Sequence, residues 1–194
     1  YNDVFYTNLI KKKRKDKRLK NEYSKIKKYK KMIKFVYQNF PHGTGDAILK
    51  CKNFIKSKYF LILMPDDLII KNNCSSSLMK LHYKYNSSII AAKKINRNEV
   101  SRWGIFEIKN MNKKNFVIKD VVEKPSIRSA PSKYAVIGRY ILPKEIFKVL
   151  KNQNPGKNGE IHITDAIKTL INQKNKFIGH VFAGKYLDCG TMEG

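Results

Sequence analysis

Acidic side chains are scarce in this chain: 15 Asp and Glu stand against 41 Lys and Arg in 194 residues, a formal net charge of +26. Cysteine is nearly absent as well. Cys51, Cys74 and Cys189 are odd in number and lack CxxC spacing, which argues against a disulfide framework and a zinc site. No run of about 18 apolar residues exists to cross a membrane. The charged, tyrosine-containing opening also lacks the apolar core of a signal peptide. A cytoplasmic protein in a reducing compartment is therefore expected, without membrane contact.

Arginine is the scarce cation, present only as Arg14, Arg18, Arg97, Arg102, Arg128 and Arg139. Phosphate and base recognition favours the planar arginine fork over lysine. The chain is also crowded with Asn, Ile and Tyr, which share A/T-rich codons with Lys, so compositional drift accounts for the charge and a nucleic-acid partner is not expected. The alternative is a basic nucleic-acid-binding module in residues 1–34, with an affinity that falls steeply with salt.

What is present is enough apolar content, 42%, for a packed core. In the first 34 residues Leu9, Ile10, Leu19, Tyr23, Ile26 and Tyr29 recur mostly every three or four positions, predicting helices with one buried stripe and a lysine face. Strands are predicted at 33–37, 59–64, 88–93, 103–108, 116–123, 134–142 and 176–183. Helices are predicted at 47–55, 78–85, 144–150 and 164–171, the last capped by Thr164. The alternation indicates an α/β layered sheet, with no repeat or linker to split residues 1–194 into more than a single domain.

The stretch LILMPDDLII places Asp66 and Asp67 inside the most apolar part of the chain. Carboxylates are costly to bury unless paired or metal-bound. Beyond the carboxyl end of a strand, Asp66 can be a magnesium ligand, a general base or a turn cap, and Asp188 in YLDCGT is a second acid after an apolar strand. In QNFPHGTGDA, Gly43 and Gly45 let backbone N–H groups approach a nucleotide, but the loop is neither a Walker loop nor GxGxxG. DVVEKP sets Glu123 beside Lys124, a point charge suited to phosphate. Trp103 reads as packing, His42 as a solvent-facing loop residue and Cys189 as a small buried one.

In order, QNFPHGTGDA, LMPDD, RWGIFEI, VVEKP, PSKYAVIGRYIL, GEIHITDAI and YLDCGT resemble the bacterial UTP-glucose-1-phosphate uridylyltransferases. The resemblance implies a Rossmann-like nucleotidyltransferase fold, with a mixed, mostly parallel central sheet flanked by helices. It implies that Gln38 and the Gly43 backbone read uracil. Asp66 and Asp188 face a Mg²⁺ ion, and Asp66 is buried because that metal pairs with it. Gly104, Glu123 and Val136 line the sugar pocket, Lys124 holds the sugar phosphate, and Asp67 is structural. UTP, glucose 1-phosphate and UDP-glucose are the implied ligands, and a homo-oligomer the implied assembly.

The sequence departs from that family in two ways. It contains no GxGTRxxP triphosphate loop and stops at TMEG, so it is expected to be a fragment, incomplete at the N-terminus and at the C-terminus, that binds UDP-glucose poorly and turns over weakly. Thr44 and Asp46 stand where relatives often carry Leu and His, which keeps thymidylyl and cytidylyl transfer open as alternatives. An inactive remnant is the third reading.

Overall fold

The computed structural model describes residues 7–8, 11–12, 16–156 and 159–190; Leu9, Ile10 and the final residues from Thr191 lie outside them. The chain divides into two compact units, Tyr1–Tyr37 and Gln38–Gly194. The first holds helix α1 (Lys17–Lys30), capped by Asp16, whose carboxylate accepts from Leu19 N at 3.0 Å. Its expected buried stripe is at most half-buried: Leu19, Tyr23 and Ile26 are partly covered, Tyr29 is exposed, and no residue of α1 is fully buried. The strand expected at 33–37 is also not formed, and Phe35 stays 66% exposed. Apolar composition marked this run, but a strand also needs a hydrogen-bonded neighbour, and 33–37 has none among the described pairings.

The second unit contains α2 (Thr44–Lys50), β1 (Tyr59–Leu63), β2 (Asp67–Ile70), α3 (Cys74–Tyr85), β3 (Ser88–Lys94) and a 3-10 turn at Arg97–Arg102. It continues with β4 (Gly104–Asn112), β5 (Asn115–Glu123), β6 (Tyr134–Pro143), α4 (Ile146–Asn152), α5 (Ile163–Asn172), β7 (Phe177–Val181) and β8 (Lys185–Asp188). A six-stranded sheet runs β1-β6-β3-β7-β5-β4, and β4 also meets β6 through Ile105 and Ala135.

The sheet is mixed and not mostly parallel: β3–β7 is the parallel pair, and the other pairings within it are antiparallel. An apolar run reports that both faces of a strand are covered, and it is silent on direction. That holds for β3 but not for the apolar run at 59–64, because β1 is an edge strand whose Leu61 and Leu63 are exposed. In β3, Ile90 and Ala92 join a large core with Phe106, Phe147 and Leu170, while Ile89 and Ala91 face Leu78 of α3. Helices α4 and α5 thus cover one face and α3 the other, leaving the strand ends as the place where polar groups can gather.

Helix α3 begins earlier than predicted, because Asn73 caps it by accepting from Ser76 N at 2.9 Å. The Ser/Asn-rich segment 72–77 supplies its cap and first turn.

His180 on β7 sets its Nδ1 2.7 Å from Asn115 Oδ1. Burial, assisted by the Lys114 charge, lowers its pKa below 6.5. The folded chain therefore binds this proton less readily than the unfolded chain. The stability it contributes is complete above the ordinary imidazole value and is lost as pH falls through the lowered one. Melting midpoints recorded from pH 8 downward are expected to decline across this window, and His180→Asn to flatten the decline.

Candidate active site

A cleft of about 450 Å³ opens along the ends of β1, β4, β5 and β6, lined by Asp66, Gly104, Glu123, Lys124, Val136 and Asp188 among others. These are six of the eight residues predicted from sequence. Gln38 and Gly43 are not among its lining residues, but Thr44, next in the same loop, is.

The two acids meet because β2 and β8 form a small antiparallel sheet with Asp67 opposite Asp188. Cys189 N donates to Asp66 O at 2.8 Å, closing the turn. A Cβ placed on Gly190 would lie 3.3 Å from Asp66 Oδ2 and 3.2 Å from Asp188 Oδ1, so the two carboxylates flank one point. Two carboxylates with open surroundings suit Mg²⁺, which takes one or two such ligands plus substrate phosphates. Among the described residues no cluster of three or more His, Cys, Asp or Glu forms a closed protein cage. Arg102 Nη2 reaches Asp188 Oδ2 at 3.4 Å from the rim.

Asp66 itself is exposed, contrary to the expectation of burial. Pro65 ends the strand, and the following turn lifts Asp66 into the cleft, so no metal is required to offset a desolvation cost. The partly buried acid is Asp67. Its carboxylate accepts from Gly138 N and from the Tyr186 hydroxyl, while Arg139 donates to Asp67 O and, at 2.7 Å, to Met64 O. Burial raises the Asp67 carboxyl above 3.8, with the Tyr186 and Gly138 hydrogen bonds pulling the other way. Burial and then the bond to Asp67 raise the Tyr186 phenol. Asp67 thus ties β2 to β6 and β8, as its structural reading implied. Tyr186→Phe deletes one of these bonds and is expected to cost about 1–2 kcal/mol in urea denaturation.

On the other wall, Gly104 pairs with Glu123 across β4–β5. A Cβ on Gly104 would meet Glu123 Oε2 at 3.1 Å, Thr164 Cγ2 at 3.1 Å and Val136 Cγ2 at 3.2 Å, so glycine keeps this convergence open. Thr164 does not cap α5; it is buried, and its hydroxyl donates to Glu123 Oε2 at 2.8 Å. Lys124 has a left-handed backbone, φ +42°, with its N–H donating to Trp103 O at 3.0 Å. A non-glycine residue held there costs about 1–2 kcal/mol, the kind of strain found at functional sites.

The loop 38–46 is set by Gly43, whose φ is +94° and whose added Cβ would fall 2.7 Å from Ile161 O. Gly45 N donates to Ile161 O and Ile161 N to His42 O, each at 2.8 Å. His42 is exposed as predicted; Cys189 is exposed as well, not buried. Trp103 packs edge-on to Tyr186 at 5.8 Å and also lines the cleft. Sequence reasoning missed Thr164, Arg102 and Tyr186 as partners of the site, and it marked Asp46 for base choice without its bond to Gln38. Only their places within the quoted motifs marked them.

The Nucleotidyl transferase family pattern matches residues 3–194. The UTP--glucose-1-phosphate uridylyltransferase of Streptococcus pyogenes is 36% identical over 168 residues, 84% of this chain and 55% of that protein. The enzyme of the same name from Pseudomonas aeruginosa is 36% identical over 157 residues, 78% of this chain and 55% of that protein. A solved UDP-glucose pyrophosphorylase complexed with UDP-glucose superposes with a TM-score of 0.77 at 39% identity, covering 82% of this chain and 62% of that one. The chain spans about half the length of the curated relatives it matches.

Proposed function

The chain belongs to the Nucleotidyl transferase family, and on that premise we propose that it carries the site for uridylyl transfer from UTP to glucose 1-phosphate, forming UDP-glucose and pyrophosphate. The observation that carries the reading is the meeting of Asp66 and Asp188 beside Gly190 in the same cleft as Glu123 and Lys124. Relatives and a structural neighbour named for this chemistry support it.

A phosphate oxygen of glucose 1-phosphate attacks the α-phosphorus of UTP in line, and the bond to pyrophosphate breaks. The attacking oxygen is already anionic near neutral pH, so no side chain has to remove a proton. What the chain supplies is position and charge. Lys124 holds the incoming phosphate from its strained turn, Glu123 accepts from sugar hydroxyls with Thr164 fixing its carboxylate, and Gly104 and Val136 leave room for the ring. Asp66 and Asp188 would hold Mg²⁺, which when bound neutralises charge on the phosphates.

The test is pyrophosphate release from UTP, glucose 1-phosphate and Mg²⁺. It is measured on the 194-residue chain and on the chain extended with a GxGTRxxP-bearing segment, because that motif is absent from the sequence. Turnover with UTP in the extended protein supports the reading. Activity confined to dTTP or CTP moves the base assignment, and silence with all three overturns the enzyme.

A further inference from the structure

We propose that Asp46 sets base specificity by fixing which end of the Gln38 amide is offered to the nucleotide, so that the site selects a pyrimidine carrying a ring N3–H. The inference rests on the uridylyl-transfer reading, in which Gln38 meets the base.

Gln38 Nε2 donates to Asp46 Oδ2 at 2.7 Å and to Gly43 O at 3.2 Å. Both partners accept, and an amide nitrogen has two hydrogens, so both are committed to the loop. The orientation follows from chemistry: turning the amide over would bring its carbonyl oxygen against a carboxylate and a carbonyl. Asp46 is only 7% exposed, and its other oxygen, Oδ1, lies 3.4 Å from Lys50 Nζ, so the acceptor is an ion-paired group held on α2. The loop cannot easily shift to release it, because Gly43 and Gly45 are packed against the Ile161 backbone.

With its hydrogens engaged, Gln38 has one polar atom left for a ligand, the acceptor Oε1. Uracil and thymine present N3–H as a donor, while cytosine presents an unprotonated N3. Oε1 against N3–H makes a hydrogen bond, and Oε1 against a bare N3 sets two acceptors together. A site whose polar groups are left unpaired rejects the wrong ligand more strongly than an apolar wall does. In this account Asp46 is a positioning residue acting through Gln38.

The experiment is calorimetric titration of the chain extended with the GxGTRxxP-bearing segment described above, with UDP-glucose and with CDP-glucose, for the parent, Asp46→Asn, Gln38→Ala and the double variant. Asn at 46 can donate or accept, so the shorter of the two bonds no longer fixes the Gln38 amide and only the Gly43 carbonyl still opposes turning it over. The preference for UDP-glucose is expected to fall about tenfold or more in Asp46→Asn. It is expected to be lost in Gln38→Ala, and the second substitution should then change nothing further. A well-folded Asp46→Asn protein that keeps the parent preference overturns this inference and leaves the uridylyl-transfer reading standing. A parent that binds neither ligand overturns both. ¹⁵N NMR of the parent adds a check free of mutation: both Gln38 amide hydrogens should exchange slowly, and free exchange with solvent overturns the proposal.

Discussion

Asp66→Asn is expected to lower pyrophosphate release by about 10²–10³-fold or more while leaving the melting temperature of the protein unchanged. The two halves of this expectation come from one observation. Asp66 is exposed on a turn into the cleft and, among the described residues, no hydrogen bond to its carboxylate ties it into the fold, so its charge faces the cleft. Asp67, one residue on, is the reverse case. Its carboxylate is bonded to Gly138 and Tyr186, and Asp67→Asn is expected to lower stability first, with activity following the loss of fold. Kinetics and thermal melts on both variants separate the roles. An Asp66→Asn protein that turns over normally removes Asp66 from the reaction, and with it the metal assignment. Mn²⁺ binding followed by fluorescence of the single tryptophan, Trp103, which shares the cleft, gives a readout independent of turnover.

The second large effect is expected at Lys124. Lys124→Met keeps the stem and removes the charge, and should cut kcat/KM for glucose 1-phosphate about a hundredfold. Lys124→Gly makes the sharper test, because glycine accepts φ +42° without strain. That variant should be no less stable than the parent and yet equally slow, separating what the backbone conformation costs from what the ammonium group does. Steady-state kinetics beside urea denaturation would decide it, and a Lys124→Gly enzyme of normal rate would remove the lysine from the mechanism.

Much of this site was legible in the chain because its chemistry sits where strands end, and strand ends are marked by breaks in apolar runs. Pro65 followed by two acids, and Glu-Lys before Pro125, are such breaks. The sequence could not say which of two adjacent acids is buried. Position along a chain fixes neighbours but not which way a turn rotates, and here the turn after Pro65 exposes Asp66 and buries Asp67. Strands β2 and β8 were missed for a similar reason: each has four residues, too few for a pattern to declare itself, and they exist by pairing with each other. Strand direction in the sheet was beyond reach, since covered faces read alike whichever way a strand runs. Thr164 shows the limit on caps, because its place at the start of α5 suited a capping hydroxyl and only the packed structure reveals that the hydroxyl serves Glu123 instead.

The pairing of β2 with β8 has a consequence in time. Asp67 and Tyr186 are 119 residues apart, and the carboxylate pair exists only once they are joined. A chain emerging from the ribosome can assemble β3, β4, β5 and β6 long before residue 188 has been made. Contacts of such long range pay their loop entropy late and form late. The growing polypeptide therefore carries the candidate site half-built until β8 has been made, and the two carboxylates meet in a single closing step when that strand docks on β2.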